Sequence, residues 1–484
     1  MINFSIVGKV LGVLLIILGA LMWTGLPFSF YYESGDVQAL FLSGIITILT
    51  GLTLWRFRLR RSETFFKREG YLIVAFGWLS MAIFSTLPYL LSNTIPSLTD
   101  AFFESISGLT TTGASVITDI ESVPKGILYW RSLTQWIGGM GIIVLTVALF
   151  PLLGIGGVEL FVAEAPGPTS DKLHPRIRET AKRLWAIYVA LTIILALILR
   201  FLGMSFYDAI NHALTTMATG GFSTKNSSMV HYQDQPIIQY TIILFMFIAG
   251  TNYALTYFGL KGKFRKFWAS DEFRAYAFLT IVLSLIAGFT IYQHTSLSLE
   301  QSFRDALFQV VSIITTTGFV SADYTSWTPS LTLLFFILMF VGASAGSTSG
   351  GIKIIRHLVF FKNSFLEFKR IIHPRAIVPL KINQQVVASR VMTRILVFLL
   401  LYLMLFLLGS LAMSSLGMDF MTAIGATATS LGNVGPGIGA VGPMDNFAEV
   451  VPAGKWLLAF LMLLGRLELF TILVLFTPYF WKSN

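Results

Sequence analysis

The chain has 484 residues, 55% of them hydrophobic and 12% charged, with a mean hydropathy of +0.74, a formal net charge of +10 and no cysteine. A composition this apolar excludes a soluble globular protein of the same size and places the chain in a bilayer. The lack of cysteine excludes a disulfide framework, a thiolate metal site and a cysteine nucleophile.

From the N-terminus, apolar runs of roughly 20 residues, enough to cross about 30 Å of hydrocarbon, lie near 5–25, 37–55, 71–92, 127–150, 184–203, 237–260, 274–292, 330–358, 393–415 and 453–480. Ten spanning helices are predicted. The first run has the length of a signal peptide, yet only Lys9 precedes its core and no small-residue cleavage site follows at Leu21-Met22-Trp23-Thr24, so it is read as a retained helix. Lys and Arg collect in alternate connections: six in 56–69, five in 164–183, five in 261–274 and nine in 353–394, together 25 of the 34. The other connections carry acids such as Glu33, Asp36, Asp119, Glu121, Asp234, Asp323 and Asp445. The positive-inside rule makes the basic segments cytoplasmic, with both termini on that side. Because the cations are spread over one membrane face, the net charge is no nucleic-acid signature. It sets topology and contacts anionic lipid, and a docking partner is a second use of that face.

The connections on the opposite face hold a phrase that recurs four times. It runs from Asp100-Ala101 to Gly113, from Asp208-Ala209 to Gly221, from Asp305-Ala306 to Gly318 and from Thr422-Ala423 to Gly435, thirteen residues each time. Each repeat therefore reads as helix, re-entrant loop, helix, and non-helical backbone at membrane depth must be buried in protein or line water. The residues after each start suit a short helix with the aspartate at or near its N-cap, or Thr422 in the fourth copy. The C-terminal end of such a helix carries partial negative charge and favours a cation at the membrane centre.

Gly113, Gly221, Gly318 and Gly435 form a candidate filter with the residues before them: Thr111 and Thr112, Thr219 and Gly220, Thr316 and Thr317, Asn433 and Val434. Rings of carbonyls, joined by threonine hydroxyls, replace the hydration shell of a permeating ion. No carboxylate stands at the loop apices, which favours a monovalent over a hard divalent cation. Close helix packing through the glycines is the bland alternative, but it accounts for neither the upstream cap nor the threonine pairs.

Inside the run 330–358, residues 342–351 (Gly-Ala-Ser-Ala-Gly-Ser-Thr-Ser-Gly-Gly) interrupt the apolar pattern. This is not a phosphate-binding loop, since Ile352 separates Gly351 from Lys353 and no strand precedes it. Two overlapping GxxxG patterns fit a close helix contact. The favoured reading is a flexible gate beneath the filter, carried by Gly346, Ser347, Thr348, Gly350 and Gly351 with Arg466 of the last run. A mid-membrane Arg costs roughly 2.5–3.5 kcal/mol on insertion scales, so Arg466 faces a cavity or a partner; Glu468, two residues on, lies on another helix face. At about 5 Å from an ion and an effective dielectric near 20, the repulsion from Arg466 is roughly 3 kcal/mol. Pairing of Arg466 with the polar backbone of 342–351 is compatible with that barrier. His212 is read as structural, and His174, His357 and His373 show no zinc-ligand spacing.

With Thr-Thr-Gly, Thr-Gly-Gly-Phe-Ser, Thr-Thr-Thr-Gly-Phe and Gly-Asn-Val-Gly-Pro-Gly at its four loops, the chain resembles, over essentially its whole length, the TrkH/TrkG/KtrB/HKT superfamily of potassium uptake proteins. Its two leading helices and fourth loop are most similar to the bacterial TrkH-type members. The resemblance implies K⁺ uptake across the bacterial inner membrane, a homodimer with one pore per subunit, and a cytoplasmic ring of TrkA, an RCK-type nucleotide-binding protein that gates the pore. It implies K⁺ over Na⁺ preference, because glycine stands at the filter position of all four repeats. It also implies an intramembrane gating loop at 342–351 and an Arg just below the filter at Arg466. Gly220 and Asn433-Val434 depart from fourfold regularity and put equal coordination by all four sides in doubt.

The fold class expected is an all-α integral membrane protein, four helix–pore-loop–helix repeats around a pseudo-fourfold pore plus two N-terminal transmembrane helices. The divisions are 1–60 for the leading helices and 61–165, 166–268, 269–372 and 373–484 for repeats one to four. No enzyme chemistry and no organic cofactor are expected, K⁺ being the permeating ion. The alternative is a K⁺ symporter coupled to H⁺ or Na⁺, for which Glu104, Asp119, His212 and Glu468 are the titratable candidates.

Overall fold

The computed structural model describes residues 3–56, 67–141, 177–376 and 378–482. Arg58, Arg60 and Arg61, the end of the run 127–150, most of the basic stretch before residue 177 and His174 lie outside them. The described chain is helical apart from one two-stranded hairpin, Lys381–Ile382 with Gln385–Val386.

Two leading helices, Phe4–Met22 and Val37–Arg56, cross through glycines spaced seven apart. Gly12 faces the Gly51 carbonyl and Gly19 that of Gly44, and a Cβ at Gly12 or Gly19 would stand 2.6–2.7 Å from those oxygens. Small residues let the two backbones approach where lipid offers no hydrophobic drive. The pair is tied to the first repeat by buried Asp36, which accepts the Ile127 N–H at 2.8 Å near the start of helix Lys125–Trp136.

Each repeat then supplies an entering helix, a short buried pore helix and a returning helix. The entering helices are Lys67–Ser85, Ile177–Phe201, Asp271–His294 and Ser389–Ser415. The pore helices are Leu98–Leu109, Phe206–Met217, Leu299–Ile314 and Phe420–Gly432. Their caps differ from expectation. Ser97, Ser205 and Ser298 cap the first three, one turn or more before the aspartates, and Asp419 caps the fourth by accepting the N–H of Thr422 at 3.1 Å. A capping side chain serves the N–H three residues on, so Asp100, Asp208 and Thr422 occupy that third position themselves. The Asp419 carboxyl is held below the usual carboxylate range by its bonds from Thr422.

The returning helices of the second, third and fourth repeats are broken, which changes the span count. Six described helices have the length and apolarity to cross a bilayer, or eight if two bent pairs count as single spans. Pro236–Ala249 and Tyr253–Leu260 bend by 110°, and Pro452–Arg466 and Phe470–Phe476 by 108°. In the third repeat Pro329–Leu338 and Ile354–Ile372 are separated by the loop 339–353, and in the first the helix passes into a π turn at Ile137–Gly141. Runs 237–260, 330–358 and 453–480 are thus not continuous helices: apolarity sets their length, while Gly250, the small residues of 342–351 and the turn after Arg466 set the breaks. Two of the nine cations assigned to 353–394 are also internal, Lys353 and Arg356 being only 8% and 6% exposed.

Candidate ion filter and gate

All four pore helices end alike. The N–H two residues before the filter glycine reaches three residues back, Thr111 to Gly108, Thr219 to Thr216, Thr316 to Ile313 and Asn433 to Ser430, at 2.9–3.3 Å. The next N–H reaches five back, Thr112 to Ser107, Gly220 to Thr215, Thr317 to Ser312 and Val434 to Thr429, at 2.8–3.0 Å. This is the Schellman closure, which demands a left-handed residue. Thr111, Thr219, Thr316 and Asn433 supply it with φ of +55°, +52°, +55° and +55°. Asparagine tolerates that region, but a β-branched threonine is strained there by about 1–3 kcal/mol, so the three threonines stand against their backbone preference.

Two residues on, Gly113, Gly221, Gly318 and Gly435 return to positive φ, +83°, +77°, +78° and +106°. Their Cα hydrogens face the neighbouring repeat in a closed sequence. Gly113 lies against the Gly220 carbonyl, Gly221 against that of Thr317, Gly318 against that of Val434, and Gly435 against that of Thr112, each so near that an added Cβ would come within 3.0 Å. The order first, second, third, fourth and back to first describes four loops around one axis.

The carbonyls of these loops are the chemical offering. Of the twelve at 111–113, 219–221, 316–318 and 433–435, only that of Gly220 accepts a hydrogen bond from a described residue. Buried carbonyls are normally paired, and eleven buried or half-buried ones without a donor among the described residues suit a desolvated cation. Among the described residues no group of three or more His, Asp or Glu could hold a metal ion, so backbone oxygen is what this site presents.

Gly220 has a local cause. Buried Gln135, on helix Lys125–Trp136, donates to its carbonyl at 2.5 Å and accepts the Phe222 N–H at 3.0 Å, and the amide fills the space a side chain at 220 would need. In the first and third repeats that space holds threonine pairs instead, Thr110 with Thr112 at 2.8 Å and Thr315 with Thr317 at 2.7 Å. The fourth loop differs again: Asn433 donates to Thr112 Oγ1 at 3.0 Å and to the Met462 carbonyl at 2.9 Å. Sequence reasoning missed Gln135, which no repeat alignment singles out.

A polar residue nine before the filter glycine braces the outgoing limb in three repeats. Glu104 accepts the Val116 N–H at 2.9 Å, His212 Nε2 meets Ser223 Oγ at 2.9 Å, and Gln309 donates to the Ala322 carbonyl at 3.1 Å. His212 therefore has the structural place expected of it. Gln309 was missed, although the thirteen-residue alignment holds the signal. Glu104 is paired with Arg131 at 2.6 Å, both almost fully buried, and Arg131 stacks 3.5 Å from the Phe222 ring and donates to the Ser223 carbonyl at 3.1 Å, joining first and second repeats. Asp119 lies in an exposed loop, where the Asn226 amide holds its carboxyl below the usual range.

Residues 339–353 form a folded loop against the filter. The Gly350 N–H donates to Thr316 Oγ1 at 2.6 Å, and Gly350 packs on Asn433 so closely that a Cβ would stand 2.7 Å from that side chain. Thr348 Oγ1 donates to the carbonyls of Met217 and Ala249, at 3.1 and 3.3 Å. The Gly346 carbonyl accepts the Tyr253 N–H at 3.0 Å, Ser347 Oγ donates to the Ser344 carbonyl at 2.6 Å, and Gly351 packs on Gly342. Of the GxxxG glycines, Gly342 packs within the loop against Gly350 and Gly351, while Gly346 and Gly350 meet Asn252 and Asn433 outside it. Arg466 donates to the carbonyls of Thr348, Gly138 and Gly139 at 2.9, 2.7 and 2.8 Å, so it bridges the loop to the π turn of the first repeat. Glu468 is taken by Arg356. Just beyond, Leu469 has φ +57° and ψ −61°, with Phe470 N–H on the Glu468 carbonyl, a strained γ-turn.

Comparison with known proteins gives the family and the fold. The TrkH family, described as cation transport protein, matches residues 36–483. The chain is 41% identical to the Trk system potassium uptake protein TrkH of Salmonella typhimurium over 487 residues, covering 99% of this chain and 100% of the relative. It is 40% identical to the TrkH of Escherichia coli with the same coverage. The crystal structure of the potassium transporter TrkH from Vibrio parahaemolyticus superposes with a TM-score of 0.89 at 37% identity, over 99% of this chain and 100% of that one. This multi-pass, all-α membrane protein belongs to the TrkH family of cation transport proteins.

Proposed function

We propose that the chain takes up K⁺ through a passive, selective pore in the bacterial inner membrane. The observation that carries this reading is the closed ring of four loops, eleven of whose twelve carbonyls accept no hydrogen bond from a described residue. Carbonyl rings exchange for a hydration shell, and the pore-helix C-termini add negative potential beneath them. Gly113, Gly221, Gly318 and Gly435 with their preceding residues are the filter, 342–351 is the gate, and Arg466 is both its latch and an electrostatic barrier. In the arrangement described, the Gly350 bond to Thr316 corresponds to a closed gate. The uptake named for the Salmonella and Escherichia relatives supports K⁺ as the ion, and their being called a Trk system supports a regulatory partner. A TrkA-like nucleotide-binding ring on the cytoplasmic face, a homodimer, both termini inside and repeat boundaries near 61, 166, 269 and 373 complete the proposal. A transport role leaves no reaction to catalyse.

Coupling to H⁺ or Na⁺ finds little support, since Glu104 is neutralised by Arg131, Glu468 by Arg356, and His212 is held by Asp208 and Ser223. The test is flux of K⁺ and Na⁺ in liposomes against membrane voltage at several pH gradients. Reversal at the K⁺ equilibrium potential, independent of pH, is expected. Flux that follows the proton gradient would replace the passive pore by a symporter.

A further inference from the structure

Four cations of the basic segments are neutralised within the protein. Arg274 and Lys362 pair with Asp271, Arg370 with Glu367, and Arg356 with Glu468. The connection between the second and third repeats differs. Lys261, Lys263, Arg265 and Lys266 are all exposed, and neither they nor nearby Arg183 comes within 4.0 Å of a carboxylate among the described residues.

This cluster is held in place. Arg183 donates to the Tyr257 hydroxyl at 2.6 Å, Lys261 lies 4.6 Å from the same ring, and Lys266 sits 3.5 Å over Phe258. The backbone turns through Gly262 at φ +72°, with Lys263 N–H on the Phe258 carbonyl at 2.9 Å. Phe267 anchors the following short helix on Phe273, ring centroids 5.0 Å apart. Beside the cations, Phe264 and Trp268 are 65% and 66% exposed. The 110° bend at 250–252 turns Tyr253–Leu260 across its preceding helix, and the connection then leads into Asp271–His294.

Exposed aromatics among unneutralised cations, at the end of spanning helices, match an interface that meets phosphate headgroups with rings at headgroup depth. We infer that Arg183, Lys261, Lys263, Arg265 and Lys266 form a binding site for an anionic phospholipid headgroup, with Phe264 and Trp268 inserted beside it. The chemistry recognised is a phosphate ester with net negative charge on a lipid; a zwitterionic headgroup brings its own cation into the cluster and is repelled. This site is separate from the ion path.

The test is native mass spectrometry of the full chain in detergent, titrated with phosphatidylglycerol or phosphatidylcholine. The wild type is expected to retain phosphatidylglycerol preferentially, and the combined variant Lys261→Gln, Lys263→Gln, Arg265→Gln, Lys266→Gln to bind it at least ~10-fold more weakly. Lys362→Gln, a cation already paired with Asp271, should leave that binding unchanged, and an unaltered thermal transition shows that the variants fold. Equal retention of the two lipids by the wild type, or unchanged phosphatidylglycerol binding by the combined variant, overturns the inference. So does displacement of the lipid by inorganic phosphate, which would make the site a soluble-anion site. Loss of a cytoplasmic protein partner in the combined variant with lipid binding intact also overturns it.

Discussion

Replacing Arg466 by Ala should turn a restrained pore into a leaky one. Its guanidinium holds the Thr348 carbonyl of the gate loop at 2.9 Å and the Gly138 and Gly139 carbonyls at 2.7 and 2.8 Å. A hydrogen bond to a charged group contributes about 1.5–3 kcal/mol, so losing the one bond to the loop shifts a closed-to-open equilibrium by roughly 10- to 150-fold. Removing the charge also removes ion repulsion of about 3 kcal/mol at ~5 Å and an effective dielectric of ~20. The two effects share one side chain and do not simply add, so the expected gain in basal K⁺ flux is at least ~10-fold. The assay is voltage-driven K⁺ flux into liposomes, with Arg466→Lys beside Arg466→Ala. Lysine keeps the charge but not the three-carbonyl fork, so it should open the gate while retaining the repulsion and give an intermediate flux. Unchanged flux in both variants would refute the latch and the barrier together.

Three further outcomes follow from the loop geometry. Gly318→Ala places a Cβ against the Val434 carbonyl at a φ of +78°, and K⁺ over Na⁺ selectivity in the same liposomes should collapse while the purified protein remains folded. Gln135→Leu frees the Gly220 carbonyl and leaves the Phe222 N–H unpaired, a loss of about 1–3 kcal/mol, so reversal-potential measurements should show selectivity falling roughly tenfold with little change in total flux. Glu104→Gln strips buried Arg131 of its partner, which costs about 3–5 kcal/mol. The thermal transition in detergent should drop, and any residual flux should keep its pH independence; flux that becomes uncoupled from a pH gradient would instead assign Glu104 to proton transfer.

The amino-acid sequence determined the membrane class and the positions of the four pore helices with their closing turns, because each of these is written locally. Apolarity over about 20 residues is a transfer property of the segment itself, and the positive φ at Gly113, Gly221, Gly318 and Gly435 favours glycine at a fixed offset from each pore helix. Arg466 was legible for a similar reason, since a lone cation in an apolar run needs a partner. The tertiary structure decided what depends on meeting another repeat. Gln135 looks like any polar residue on a helix until it is found under the Gly220 carbonyl, 85 residues away. The breaks at 250–252 and 467–469 escape a hydropathy count, because Gly250-Thr251-Asn252 and Glu468 are too few to interrupt the apolar residues on either side while the backbone turns. The gate loop's bond to Thr316 joins residues 34 apart, and Arg466 reaches Gly138 across 328. A chain can encode its helices and turns residue by residue, but which carbonyl each donor meets is set only when four copies close around one axis.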